Sequence, residues 1–273
     1  MSNSILPKAV PRGPKGLRYT SAVLFGRHGA GKSYLMTTMR TDGSECLSID
    51  LEGGTRMMVA TSVEPKTWGE LNGVLTELET ENHSFNIVSI DTADRAWAML
   101  EEFVCSELGV TTIGDAAHGK GWALAKAHWS RFVYRVINLT AADGRKILPF
   151  FLCHEKLVPM TERRGGTALE TGRSLVTVSL PNTAKLILLS AVDFVLHLYL
   201  DENTGSRMLR TQAVDTPAFR IESKGRGMPA VYDDEGEEVR PAMHLPPEIP
   251  ATFQALRLAF HKAFNHEGEQ NNA

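Results

Sequence analysis

An α/β fold, with a mostly parallel central sheet flanked by helices and a β-hairpin region near the C-terminal end, is predicted by three observations. From Tyr19 onward short apolar runs alternate with amphipathic stretches. Each apolar run is followed by polar or glycine-containing residues, as buried strands are. The stretches between them repeat their apolar positions at helical spacing.

Taken in order, residues 1–18 hold Pro7, Pro11 and Pro14, glycines and four basic side chains, a composition that packs poorly and reads as a flexible or partner-bound arm. Strands are expected at Ala22–Phe25, Cys46–Asp50, Asn86–Asp91, Ile147–Cys153 and Phe194–Leu200. Between them, Leu71, Val74, Leu75 and Leu78 share a helical face, as do residues of Ala93–Leu108 and of Trp122–Leu139, so these are crossover helices. DENTGS between two β-rich runs suggests a hairpin, DDEGEE an acidic turn, and Pro250–Phe264 a short terminal helix before a polar tail. The expected organisation is an arm over 1–18, a core over 19–235, and a linker, helix and tail over 236–273. No internal repeat is present.

Composition excludes more than it proposes. In 273 residues, hydrophobic side chains make up 42% and charged ones 22%, which removes fibrous and largely disordered classes. No apolar run approaches the roughly 18 residues of a spanning helix, and the opening lacks the hydrophobic stretch of a secretory signal, so a cytoplasmic protein is expected, with no membrane partner. Cys46, Cys105 and Cys153 have no metal-type spacing and fit core packing in a reducing compartment. With 29 basic and 32 acidic residues, any nucleic-acid site must be a local basic surface.

The chemistry begins at Gly26-Arg27-His28-Gly29-Ala30-Gly31-Lys32-Ser33, which matches G-x-x-x-x-G-K-[ST] between the strand SAVLF and the helical run SYLMTTMR. Its glycines permit backbone angles that turn successive N–H groups inward, so residues 26–33 with Tyr34 form a cradle for phosphate oxygens. Lys32 would reach the terminal phosphates and Ser33 would ligate Mg²⁺. The apolar strand FNIVSID ends in Asp91, placed to hold the same ion through water. LSIDLEG ends in Asp50 and Glu52, whose spacing puts both on one side. Glu52 is the candidate general base for an attacking water, with a solvated acidic turn as the bland alternative.

Together these motifs resemble the RecA-like P-loop ATPases, in which the strand after the P-loop helix ends in D-x-E (Asp50-Leu51-Glu52) and the Walker B strand ends in Asp followed by Ser or Thr (Asp91-Thr92). The resemblance implies ATP and Mg²⁺ as cofactors and a strand whose polar end senses the γ-phosphate and opens onto a DNA-binding loop. ILPFFLCHEK ends in His154 at that point. It also implies a K-x-[KR] pair acting across a subunit boundary, which Lys224 and Arg226 of SKGRGMP match. More narrowly, the order GDxxxGKGWxLAxxxWxRFxxR (Gly114–Arg135), LCHEK and SKGRGMP resembles phage-encoded RecA-like single-strand annealing proteins, within the broad AAA-domain group. That likeness spans about Tyr19 to Tyr232. It implies ATP-linked binding and annealing of single-stranded DNA in homo-oligomers with ATP between subunits, in host cytoplasm, with a single-strand DNA-binding protein as a partner.

Two segments could meet that DNA. Ile113–Lys126 offers Lys120, Lys126, Trp122 and His118, and Lys156–Arg173 offers Lys156, Arg163, Arg164 and Arg173 around two glycines. Cations can follow phosphates while an aromatic ring stacks on bases without reading sequence. Against this, Trp122 and Trp129 stand seven residues apart, a spacing that also suits core packing. A hexameric motor or ATP-switched scaffold shares all these motifs, and a small-molecule kinase shares the P-loop.

Overall fold

Five parallel strands form the centre of the molecule, and their carboxyl ends share one edge of the sheet. The computed structural model describes residues 16–41, 44–164 and 167–264. Its elements are β1 (Ala22–Gly26), α1 (Lys32–Thr37), β2 (Arg40–Thr41), β3 (Ser44–Asp50), β4 (Thr61–Val63), α2 (Trp68–Thr80), β5 (Ile87–Asp91), α3 (Ala93–Leu108), α4 (Lys120–Ile137), β6 (Leu148–Arg164), β7 (Thr167–Val178), α5 (Asn182–Ala191), β8 (Phe194–Leu200), β9 (Arg207–Arg210), β10 (Val214–Asp215), β11 (Phe219–Ile221), β12 (Lys224–Gly225), β13 (Val231–Tyr232), β14 (Glu238–Arg240), β15 (Glu248–Pro250) and α6 (Phe253–Phe264).

The central order is β3-β5-β6-β1-β8, all parallel, so β6 lies between the strand that ends at the P-loop and the strand that ends at Asp91. Alternate residues of each strand feed two layers. Val23, Phe25, Val88 and Ile90 pack with Leu71, Trp97, Trp129 and Leu188 of α2–α5, whereas Leu24 and Leu196 pack with Met36 of α1 and Phe260 of α6. Cys46 and Cys153 are buried in these layers, and burial pushes the Cys46 thiol up to about 12. No described helix is long and apolar enough to cross a membrane.

All five expected strands form, but the fourth does not stop near Cys153. β6 runs on to Arg164 and pairs antiparallel with β7, so the candidate DNA segment Lys156–Arg173 lies in two paired strands and is not an open loop. Its β-character comes from apolar and β-branched residues such as Leu157, Val158, Val176 and Thr177, and Pro159 is accommodated where the register shifts between Pro159 and Thr161. Helix α5 had no counterpart in the sequence reading, because LILLSA carries apolar residues in an unbroken run without a clear period.

The boundary expected at residue 235 is not a structural one. β15 adds antiparallel to β9, and Phe253, Leu256 and Phe260 of α6 join the core layer that contains Leu24. The helix therefore starts at Phe253 and not at Pro250, since Glu248–Pro250 are drawn into the sheet. Of the expected arm and tail, residues 1–15 and 265–273 lie outside the described residues.

Candidate active site

The P-loop follows β1 directly, and its glycines answer to space as well as angle. A Cβ at Gly26 would collide with the Leu198 carbonyl oxygen, and Gly31 sits at φ 99° as the residue before α1. Lys32 is buried, 6% exposed, and its Nζ donates to the carbonyls of Gly26 (2.9 Å) and Arg27 (3.0 Å). Burial holds its pKa below the usual lysine range, with the Asp91 charge opposing that shift. Of the remaining cradle residues, Arg27 and His28 turn outward, Gly29 and Ala30 form the tip, and Tyr34 is exposed. A cavity of about 780 Å³ opens beside the tip, between Arg27–Ala30, the end of β8 and the inner face of β7 and β11.

Three carboxylates approach this cradle with different duties. Asp50 and Asp91 are direct neighbours across β3 and β5. Asp50 directs both oxygens at its own loop: Oδ1 accepts from the N–H groups of Glu52 (3.1 Å), Gly53 (2.7 Å) and Gly54 (3.1 Å), and Oδ2 from the Thr55 N–H (2.8 Å) and hydroxyl (2.6 Å). Burial works against its charge, but these donors outweigh it and hold the pKa below the ordinary carboxylate value. The expectation that Asp50 and Glu52 share one side is thereby corrected. The strand ends at Asp50, the chain turns around its carboxylate, and Glu52 alone projects, with Oε1 accepting from the Thr92 hydroxyl at 2.7 Å.

Asp91 is 3% exposed, and its Oδ2 has no hydrogen-bond partner among the described residues. Burial raises its pKa to about 6; the Ser33 side chain, hydrogen-bonded to it, opposes the rise, while the charges of Asp50 and Glu52 add to it. An orphaned buried carboxylate oxygen beside a serine hydroxyl suits a hard divalent cation, so Ser33 and Asp91 fit the Mg²⁺ role expected of them. Gly54 closes the loop against Ser33, whose Oγ would stand 3.6 Å from a Cβ there.

His154 lies opposite Gly26 in the β1–β6 register, where β6 leaves the sheet. Its ring stacks on that of His28 at 3.7 Å between centroids, and its Nε2 is 3.8 Å from Glu52 Oε2. Asp94, which the sequence reading missed, grips it from α3. The Asp94 carboxylate accepts from the His154 N–H (3.1 Å) and lies 2.7 Å from its Nδ1. The available signal was an acid in the first turn of a helix directly after Asp91-Thr92. The atoms offered by Glu52, Asp94 and His154 lie within 4.8 Å of one another, close enough to hold a metal ion. The next residue of β6, Glu155, is held by Arg27 (3.0 Å) and His197 (2.9 Å). Two consecutive P-loop residues thus contact two consecutive residues at the root of the hairpin.

Lys224 and Arg226 are elsewhere. β12 pairs Lys224 with Val195 and Gly225 with Phe194, at the amino end of β8, the edge opposite the P-loop. Lys224 Nζ donates to the carbonyls of Leu189 (2.9 Å) and Val192 (2.7 Å) at the end of α5, whereas Arg226 meets Asp193 (3.0 Å) with 63% of its side chain exposed. The two residues do not act as an equivalent pair, because the first is committed to helix carbonyls.

The candidate DNA residues divide similarly. Lys156 donates to the Leu180 carbonyl (2.6 Å), and Arg173 is tied to Asp215 and to the Thr216 carbonyl (2.8 Å), so both serve the hairpin. Arg163 and Arg164 pair with Ala168 and Thr167 near its tip; their side chains lie outside what is described. Lys120 and Trp122 are exposed in the first turn of α4, Trp122 at 47%, while Trp129 is fully buried with Nε1 donating to the Ala184 carbonyl (3.0 Å). The seven-residue spacing therefore marks one core tryptophan and one free one.

A family model described as "AAA domain" matches residues 18–219, which hold the P-loop, Glu52, Asp91 and His154. The chain belongs to the AAA domain family. Lys224 and Arg226 fall beyond the matched residues of this AAA domain. Among solved structures it is similar to the RadB recombinase (12% identity, 74% of this chain and 90% of that one, TM-score 0.40). It is also similar to a KaiC-like protein from Pyrococcus horikoshii (10% identity, 84% and 85%, TM-score 0.37). No curated protein matches the chain. Family and strand order together describe an AAA domain with a P-loop at the carboxyl edge of a mostly parallel sheet.

Proposed function

We propose that this AAA-domain protein binds ATP with Mg²⁺ in the Gly26–Tyr34 cradle, hydrolyses it, and couples that cycle to binding and annealing single-stranded DNA. The observation that carries the reading is the convergence of Lys32, Ser33, Asp91 and Glu52 on one sheet edge, from which β6 continues directly into a hairpin. Lys32, now bonded to two loop carbonyls, would bind phosphate oxygens, and Ser33 with Asp91 would hold Mg²⁺. Bound Mg²⁺ supplies neutralisation of charge on the phosphates. Glu52 accepts the proton of the attacking water, and Thr92 keeps its carboxylate oriented.

The coupling runs through contacts already made. Arg27 and His28 hold Glu155 and His154, so a rearrangement of the cradle moves the hairpin root. His154, fixed by Asp94, is the γ-phosphate sensor in this reading. Exposed Arg226, at the far edge, suits a contact with a neighbouring subunit's nucleotide in a homo-oligomer, and a single-strand DNA-binding protein is the further partner that the resemblance implies.

The test is whether single-stranded DNA raises the ATPase rate and complementary strands anneal faster with protein and ATP. Neither effect would remove the DNA function, directional unwinding would make the protein a motor, and phosphoryl transfer to a nucleoside would make it a kinase. Among the residues available to DNA, Trp122 has the better physical case. Trp122→Ala is expected to weaken single-strand affinity by about 1–3 kcal/mol, the worth of one base stack, with ATP affinity unchanged. Filter binding with a salt series compares it with the Arg163→Ala, Arg164→Ala double variant; a loss confined to the double variant assigns the contact to the hairpin tip.

A further inference from the structure

We propose that Arg207 contacts the phosphate chain of the bound nucleotide in cis, as a second cation of the cradle beside Lys32. The inference rests on the nucleotide reading above and concerns a residue from the far end of the domain. Arg207 opens β9 and its backbone is fixed on both sides, by pairing with Leu200 of β8 and by the Ala251 N–H donating to its carbonyl at 2.9 Å. From there its side chain lies over the P-loop. Nε donates to the Ala30 carbonyl (2.9 Å), and a Cβ on Gly31 would stand 2.8 Å from Nε and 3.5 Å from Cζ.

Its two terminal nitrogens have no partner among the described residues. The contrast with its neighbours is informative. Arg27 is tied to Glu155 and Arg210 to Glu248, so these charges are balanced within the chain. Arg207 makes no ion pair with a carboxylate among the described residues, and its guanidinium is held by one edge against Ala30 and Gly31. Arg207 thus lies against the turn of the P-loop that leads directly into Lys32. A guanidinium anchored through Nε presents its remaining N–H groups as a fork, the geometry that suits phosphate oxygens. Gly31 leaves the space through which that fork can reach.

Equilibrium binding of ATP, ADP and adenosine to the full chain, in low and moderate salt, tests this with Arg207→Ala, Arg207→Lys and Lys32→Ala. Arg207→Ala is expected to weaken ATP and ADP about tenfold or more, to flatten the salt dependence, and to leave adenosine binding and the melting temperature unchanged. Arg207→Lys is expected to recover part of the loss. If Arg207→Ala binds ATP like the unaltered chain while Lys32→Ala does not bind, the nucleotide site stands and the Arg207 contact is wrong. A loss shared by adenosine, insensitive to salt and unrescued by lysine, would mean base stacking and would also overturn the proposal. No binding by the unaltered chain would instead defeat the nucleotide reading itself.

Discussion

Glu52→Gln is expected to retain ATP and to hydrolyse it about 10²–10⁴-fold more slowly, the range associated with loss of a general base. The substitution is nearly isosteric. A glutamine oxygen still accepts from the Thr92 hydroxyl, which lies 2.7 Å from Glu52 Oε1, so the side chain keeps its place while losing the ability to take a proton. The backbone beneath it is held independently by Asp50, whose carboxylate binds the N–H groups of residues 52–55. Single-turnover hydrolysis with binding measured alongside separates the effects: turnover should collapse at constant affinity, and unaltered turnover would move the base to another residue.

Asp91→Asn should divide stability from function. The buried Asp91 carboxylate has one oxygen without a partner among the described residues and a pKa raised to about 6, chiefly by burial. Removing its charge at pH 7 should stabilise the fold by on the order of 1–3 kcal/mol, read as a higher melting temperature. The same change removes the acid that fits Mg²⁺, so metal-dependent hydrolysis should fall by about 10²-fold or more. The sign of the pH dependence follows. A carboxylate whose folded pKa is raised costs stability in full above about 6, and the cost is relieved as pH falls from there toward the ordinary carboxylate value. Asp50 runs the opposite way, because its lowered pKa gives stability that is present above the ordinary value and lost as pH falls through the folded one. In Asp91→Asn the acid-side gain should vanish and the acid-side loss remain. A variant that melts lower than the unaltered protein at pH 7 would contradict this account.

Much of this architecture was legible because local and global signals agree. The strands ending in Gly26, Asp50 and Asp91 are apolar runs stopped by residues with a chemical duty, and parallel pairing places those ends together. The α3 limits, Ala93 and Leu108, are marked by Thr92 as N-cap and Gly109 after the last turn. What sequence did not carry were contacts between segments distant along the chain. Asp94 reads as an ordinary first-turn acid until β6 brings His154 against it, and Arg207 reads as one of many surface arginines until the β8–β9 hairpin folds it over Ala30. The D-x-E pattern pointed to Glu52 but put both acids on one side, and only the turn after Asp50 separates a loop anchor from a projecting carboxylate. For the hairpin, charged residues and paired glycines masked strand alternation that β7 makes explicit.

The central claim is that Lys32, Ser33 and Asp91 form one triphosphate and magnesium site. Titration of ATP into the full chain, with and without Mg²⁺, and into Lys32→Ala tests it most directly. One nucleotide per chain, bound more tightly with the metal and lost in the variant, is the predicted result; no binding, or equal binding by Lys32→Ala, would contradict it.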